Sequence, residues 1–136
     1  MSFKEEIKYD GKTRELPMGS GATITKGSHC KMSSGYLVAG AAGDDEAFYI
    51  AMETKTNSGA AGAVKGLVLE IDESIQFEAL CATTPVQATH VGNDYDFSDA
   101  ATLDLTATTD KVFHVDEIRS TTNKLVLGHF NKPALA

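Results

Sequence analysis

The chain has no tryptophan, and its aromatic content stops at six phenylalanines and four tyrosines in 136 residues. Surfaces that stack sugars or unpaired bases are built from such rings, so neither function is expected. Positive charge is also scarce: 12 Lys and Arg stand against 19 Asp and Glu, a net charge of −7. Residues 1–20 balance Lys4, Lys8, Lys12 and Arg14 against Glu5, Glu6, Asp10 and Glu15, so the net negative charge lies in residues 21–136. A body that repels phosphate is a poor nucleic-acid ligand, because non-specific affinity comes from cations displacing counterions. No apolar run approaches the roughly 20 residues that span a bilayer. The charged opening "MSFKEEIKYDGKTRELP" lacks the apolar centre of an export signal. The expectation is a protein that binds neither nucleic acid nor membrane and stays in the compartment where it is made. Only two cysteines occur, Cys30 and Cys81, with no CxxC. They read as small buried apolar side chains in preference to a disulfide or a reactive thiol.

Small residues and short alternating runs fill the rest. "AFYIAMET" (47–54) sets Phe48, Ile50 and Met52 against Tyr49, Ala51 and Glu53, the two-residue period of a strand. "GLVLEI" (66–71) alternates Leu67, Leu69 and Ile71 against Val68 and Glu70. "SIQFEAL" (74–80) alternates Ile75, Phe77 and Ala79 against Gln76, Glu78 and Leu80. Only Asp72 and Glu73 separate these two, which predicts a tight hairpin lacking the favoured turn glycine. "KVFHVDEI" (111–118) and "LVLGHF" (125–130) flank "RSTTNK" and predict a second hairpin, preceded by a short strand "ATLDL" (101–105). Upstream, strands are predicted near 22–25, 28–32 and 36–39, with a turn at Ser33-Ser34-Gly35. "TNSGAAGAVKG" (56–66) reads as a flexible surface loop.

The first 20 residues differ. Phe3 and Ile7 in "FKEEIKY" have helical spacing, but two turns are marginal in water without a partner. The segment reads better as an arm that is extended or disordered until it docks; Pro17 favours extended backbone at Leu16, and Gly19 and Gly21 form a hinge. The expected fold is therefore all-β: a small β-barrel or sandwich of short antiparallel strands (21–136) with an extended N-terminal arm (1–20).

"HVGNDYDFSDAATLDL" (90–105) gathers acidic residues at spacings that begin like a calcium loop. From Asp94, however, Asp99 and Leu105 occupy the positions that require Gly and Glu. The stretch reads as a corner, with Tyr95 and Phe97 inward and the aspartates in water. His29, His90, His114 and His129 show no HxH, HExxH or HxxxH spacing, and adjacent His29 and Cys30 point to opposite strand faces, so zinc is not expected. His114 and His129 lie on strands predicted to pair and are expected to meet as a cross-strand polar pair. There is no GxSxG, and "GSGATITKG" is not a phosphate loop. No catalytic residue, metal or cofactor is assigned, and the chain reads as a non-enzyme.

The order of features carries a resemblance. "ITKGSHCKMSSGYLVAG", with its Gly27, Gly35 and Leu37, is followed by "AFYIAMET", "GLVLEIDESIQFEA", "HVGNDYDF" and a closing "VFHVDEIRSTTNKLVLGHF". Over most of residues 22–131 this resembles the head decoration (cement) proteins of tailed bacteriophages. The resemblance implies a small β domain, trimeric, made in the host cytoplasm and carried on the outer surface of the virion. Its partner would be the major capsid protein, clamped at junctions between subunits after the shell expands. An arm that adds a strand to a capsid edge would use Phe3, Ile7, Tyr9 and Leu16 as its apolar anchors. Two other readings stand beside it: a small-ligand-binding β-barrel, and a hydrolase using His90 or His114 with an aspartate.

Overall fold

The computed structural model describes residues 4–5, 13–44, 49–71 and 75–131. The fold is all-β. Its strands are β1 (Lys4–Glu5), β2 (Thr13–Pro17), β3 (Thr23–Ile24), β4 (His29–Ser33), β5 (Tyr36–Ala39), β6 (Tyr49–Ala51) and β7 (Lys55–Thr56). They continue with β8 (Lys65–Glu70), β9 (Phe77–Cys81), β10 (Asp94–Asp99), β11 (Thr102–Asp104), β12 (Phe113–Ser120) and β13 (Leu125–Phe130). A single helical turn, α1 (Gln87–His90), precedes β10.

Two sheets and a short ribbon organise these strands. The larger sheet runs β1-β9-β11-β10-β12-β13, and β13 pairs again with β9, so its ladders return to their start. All its pairings are antiparallel except β9 with β11. The second sheet runs β2-β8-β6-β4-β5, and a bridge from Met18 to Leu37 links the end of β2 back to β5. The ribbon is β3 with β7. The β9–β13 ladder satisfies backbone donors that an open edge would leave unpaired.

Side-chain alternation divides the interior into two clusters. The larger contains Phe77, Ala79 and Cys81 of β9, Phe97 of β10, Phe113 and Val115 of β12, and Val126 and Phe130 of β13. The smaller contains Met18, Ile24, Cys30, Leu37, Tyr49, Ala51 and Val68. Neighbouring residues of β6 and β8 serve opposite clusters: Ile50 and Leu69 join the larger one, Tyr49, Ala51 and Val68 the smaller. The middle of the second sheet is thus buried on both faces, which explains the uninterrupted burial of Tyr49, Ile50 and Ala51. Cys30 and Cys81 are free thiols inside these clusters, as expected, and burial pushes both up to about 12.

The hairpin predicted between 111–118 and 125–130 is present as β12 and β13, with His114 opposite His129. The β4–β5 hairpin is also present, its two-residue loop Ser34-Gly35 holding φ of 51° and 86°. Two successive left-handed residues match the twist of the flanking strands, and glycine takes the second position without steric cost.

Four expectations need correction. The tight hairpin between 66–71 and 74–80 does not form: β8 pairs with β2 and β6, whereas β9 pairs with β13, β1 and β11. Leu69, Ile71, Ile75 and Phe77 still share one cluster, because alternation specifies a buried face and leaves the hydrogen-bonding partner open. Part of the expected arm belongs to the body, since Thr13–Pro17 pair with Leu69–Lys65 and Met18 is fully buried. The 56–66 loop is exposed over 58–63 as expected, but it is anchored: buried Asn57 donates its amide to the carbonyls of Met18, Gly19 and Ala60. Met52, expected on the face of Ile50, is 39% exposed because β6 ends at Ala51, while Phe48 lies outside the described residues.

Candidate functional site

Of the four anchors expected on the arm, Phe3, Ile7 and Tyr9 lie outside the described residues. Leu16 sits in β2 opposite Gly66, half-buried against the smaller cluster, where it anchors the chain to its own body. At β1 the backbone is extended and forms a two-residue ladder with β9, Lys4 opposite Glu78 and Glu5 opposite Phe77. The same edge of β9 continues into β11 at Leu80 and Cys81. Further along the segment, Arg14 reaches Glu70 at 3.0 Å across the β2–β8 ladder.

Polar chemistry concentrates in two places. The first is the outer face of β10, β12 and β13. Strand register puts Asp94 opposite His114 and His114 opposite His129, with Asp116 two residues along β12 on the same face as His114. His114 Nδ1 lies 2.7 Å from Asp94 Oδ1, and His129 Nδ1 lies 3.1 Å from Asp116 Oδ2. The two rings are 5.0 Å apart and inclined by 32°. Each carboxylate is itself held: Asn131 Nδ2 donates to Asp94 at 2.7 Å, and Gln76 Nε2 donates to Asp116 at 3.1 Å. All four side chains of this network are partly solvent-exposed.

The second place is buried. His29 of β4 has no solvent exposure; its Nε2 lies 3.0 Å from Asp44 Oδ2, and its Nδ1 lies 3.0 Å from the Ala100 carbonyl. Asp44 also accepts Lys31 Nζ at 2.9 Å and the Ala41 N–H at 2.8 Å. Burial is the strongest influence on His29 and lowers its pKa below the ordinary value; the Asp44 and Ala100 contacts oppose this without overcoming it. For Asp44, partial burial works against ionisation. Hydrogen bonds from Lys31, Ala41 and His29 outweigh that and hold the carboxyl below its usual range. Gly40 makes the pocket possible, since a Cβ there would stand 2.0 Å from His29 Nε2.

The acidic stretch 90–105 is a corner, with Tyr95 and Phe97 inward as expected. Its aspartates do not all face water. Asp96 is only 5% exposed and accepts N–H groups from Thr109, Asp110 and Lys111 at 3.1, 2.8 and 2.8 Å. Asp104 takes the Thr106 hydroxyl and N–H, which lower its pKa, and Asp99 takes the Ala101 N–H. These carboxylates shape loops.

The hydrogen bonds of the imidazoles among the described residues run to carboxylates and backbone atoms, His90 Nδ1 accepting the Val86 N–H at 2.8 Å. Covalent catalysis by a serine or cysteine needs a hydroxyl or thiol within reach of the base, and none of these contacts pairs an imidazole with one. No group of three or more ligating side chains is preassembled for a metal among the described residues. The pairing of His114 with His129 was legible from strand order. Asp44 and Gly40 were missed, because nothing in the sequence near His29 signals a partner 15 residues away across a turn. Comparison with known protein families, curated proteins and solved structures returns no match for this chain.

Proposed function

We propose that the protein is a structural capsid decoration protein. It binds the outer surface of a tailed-phage head at junctions between major capsid subunits, as a homotrimer, and stabilises the expanded shell. The observation that carries this reading is the extended backbone at the N-terminus, which already lies as an added strand on the edge of β9. A chain end in that conformation is suited to augmenting a sheet edge on a neighbouring subunit, with backbone hydrogen bonds giving affinity and alternate side chains giving register. Ordering each residue costs about 1–2 kcal/mol, so one arm holds weakly. Three arms on one trimer raise the effective concentration of the remaining two once the first has docked.

The competing picture of a ligand-binding barrel draws no support from the interior. Phe130 packs edge-to-face on Phe77 at 5.3 Å and on Phe113 at 5.0 Å, filling that part of the larger cluster with the protein's own side chains.

The test mixes purified protein with expanded, undecorated heads. Saturable binding and a gain in resistance of the shells to heat and chelation are expected, both weakened by removing residues 1–12. Heads that neither bind the protein nor gain robustness would overturn the reading. Sedimentation of the free protein measures the trimer independently.

A further inference from the structure

We propose that His114 and His129 form a two-imidazole clamp for a divalent transition cation on the outer face of the β12–β13 hairpin. Directly opposed residues of an antiparallel pair hold their side chains close and roughly parallel, and here the rings are 5.0 Å apart. Binding one ion requires rotation about the side-chain torsions to turn both Nε2 atoms together, since Asp116 faces Nε2 of His114 and Nδ1 of His129. What distinguishes this pair is how the rings are fixed. Each directs Nδ1 at an aspartate, His114 at Asp94 and His129 at Asp116, which leaves Nε2 as the ligating atom on both. Metal-binding histidines are oriented in this way: a carboxylate on one ring nitrogen sets the tautomer and raises the basicity of the other. The carboxylates are in turn fixed by Asn131 and Gln76, completing an outer shell around a pair of donors.

Accessibility agrees. The His114 and His129 side chains are 28% and 31% exposed, so an ion reaches them without opening the fold. His29 by contrast is fully buried with both ring nitrogens engaged. Asp116 Oδ1 lies 3.8 Å from His114 Nε2, and its charge favours a cation there. Two imidazoles do not complete a coordination sphere, so water supplies the other positions. Imidazole pairs of this type suit Cu²⁺, Ni²⁺ and Zn²⁺, with Cu²⁺ bound most tightly. The sequence motifs for metal binding miss such a site, because its ligands are neighbours across a ladder and 15 residues apart along the chain.

The test titrates the full chain with CuCl₂, NiCl₂ and ZnCl₂ by calorimetry and by thermal unfolding. Saturable binding at one ion per chain is expected, together with a rise in unfolding midpoint. His114→Asn and His129→Asn should each abolish both effects, and His90→Asn should leave them intact. Asp94→Asn and Asp116→Asn should weaken binding by roughly 10–100-fold, the usual effect of removing an outer-shell partner. Cu²⁺-induced broadening of amide resonances in the unaltered protein needs no variant and should centre on residues flanking His114 and His129. Absence of saturable binding, unchanged affinity in the two histidine variants, or broadening centred elsewhere would each overturn the assignment and leave an ordinary cross-strand polar pair.

Discussion

The imidazole of His29 lies flat against the ring of Phe97, with centroids 3.7 Å apart and planes within 9° of parallel. His29 belongs to β4 of the second sheet and Phe97 to β10 of the larger one, so this stack joins the two ladder systems. The same residue reinforces the junction twice more, because its backbone N–H and its Nδ1 both meet the carbonyl of Ala100. One side chain therefore couples the sheets through packing and hydrogen bonding together.

Because burial lowers the His29 pKa, stability should depend on pH in a defined direction. The unfolded chain takes up a proton as pH falls through the ordinary value of 6.5, while the folded chain resists. The unfolded state then binds more protons, and stability present above 6.5 is lost as pH falls below it toward the folded value. Asp44, also lowered, adds a second loss below its ordinary 3.8. Denaturant midpoints at pH 7.5 and 5.5 measure the first window. The midpoint should fall on acidification and His29→Gln should flatten the change; a midpoint that rises contradicts the assignment.

Gly40→Ala tests the pocket around the same ring. The added methyl would stand 2.0 Å from Nε2 and 2.2 Å from Cδ2 of a fully buried ring, so one of them must shift. Overpacking of this kind costs about 1–3 kcal/mol. Chemical denaturation should register that loss, and the ring-current shifts His29 imposes on Phe97 should change with it. An alanine variant as stable as the parent would mean that the loop at Gly40 yields freely.

Phe130→Ala tests the larger cluster. Phe130 is fully buried and touches Phe77 and Phe113 edge-to-face, so its removal leaves a cavity beside those two rings. The expected destabilisation is about 3–5 kcal/mol, with Phe130→Leu costing less. Equilibrium unfolding in urea distinguishes this from the few tenths typical of a surface change.

Asp96→Ala tests the corner. Its carboxylate receives three consecutive backbone N–H groups of the 109–111 loop, where Lys111 holds a φ of 53°. Alanine removes the shared acceptor of those donors, and because Thr109 and Lys111 are exposed, water replaces part of it, leaving an expected loss of about 1–3 kcal/mol in all. Hydrogen exchange at Thr109, Asp110 and Lys111 should accelerate well beyond the rest of the protein. Exchange that rises uniformly would instead indicate a global loss.

The elements differ in how openly the sequence declares them. β9 and the two residues before it were readable residue by residue, because Ile75, Phe77 and Ala79 are buried while Gln76, Glu78 and Leu80 are half-exposed, as alternation requires. The β12–β13 hairpin was readable because two alternating runs flank one short polar link. β2 was not, since "TRELP" offers few apolar residues; its place is set by backbone pairing to β8 and by Met18 beyond it. Asp96 was misjudged for a related reason: an aspartate defaults to water unless distant N–H groups converge on it, and those belong to a loop 13 to 15 residues away.

The sequence by itself determined that this chain is built from short strands with two buried thiols, because burial on one face of a pleated strand imposes a period of two on residue type. Only the tertiary structure decided which strands pair, that β8 and β9 part into different sheets, and that His29 locks those sheets together. Backbone hydrogen bonds are chemically alike in every strand. The choice of partner is therefore made where side chains from distant segments fill a common interior, and that information is spread across the whole chain.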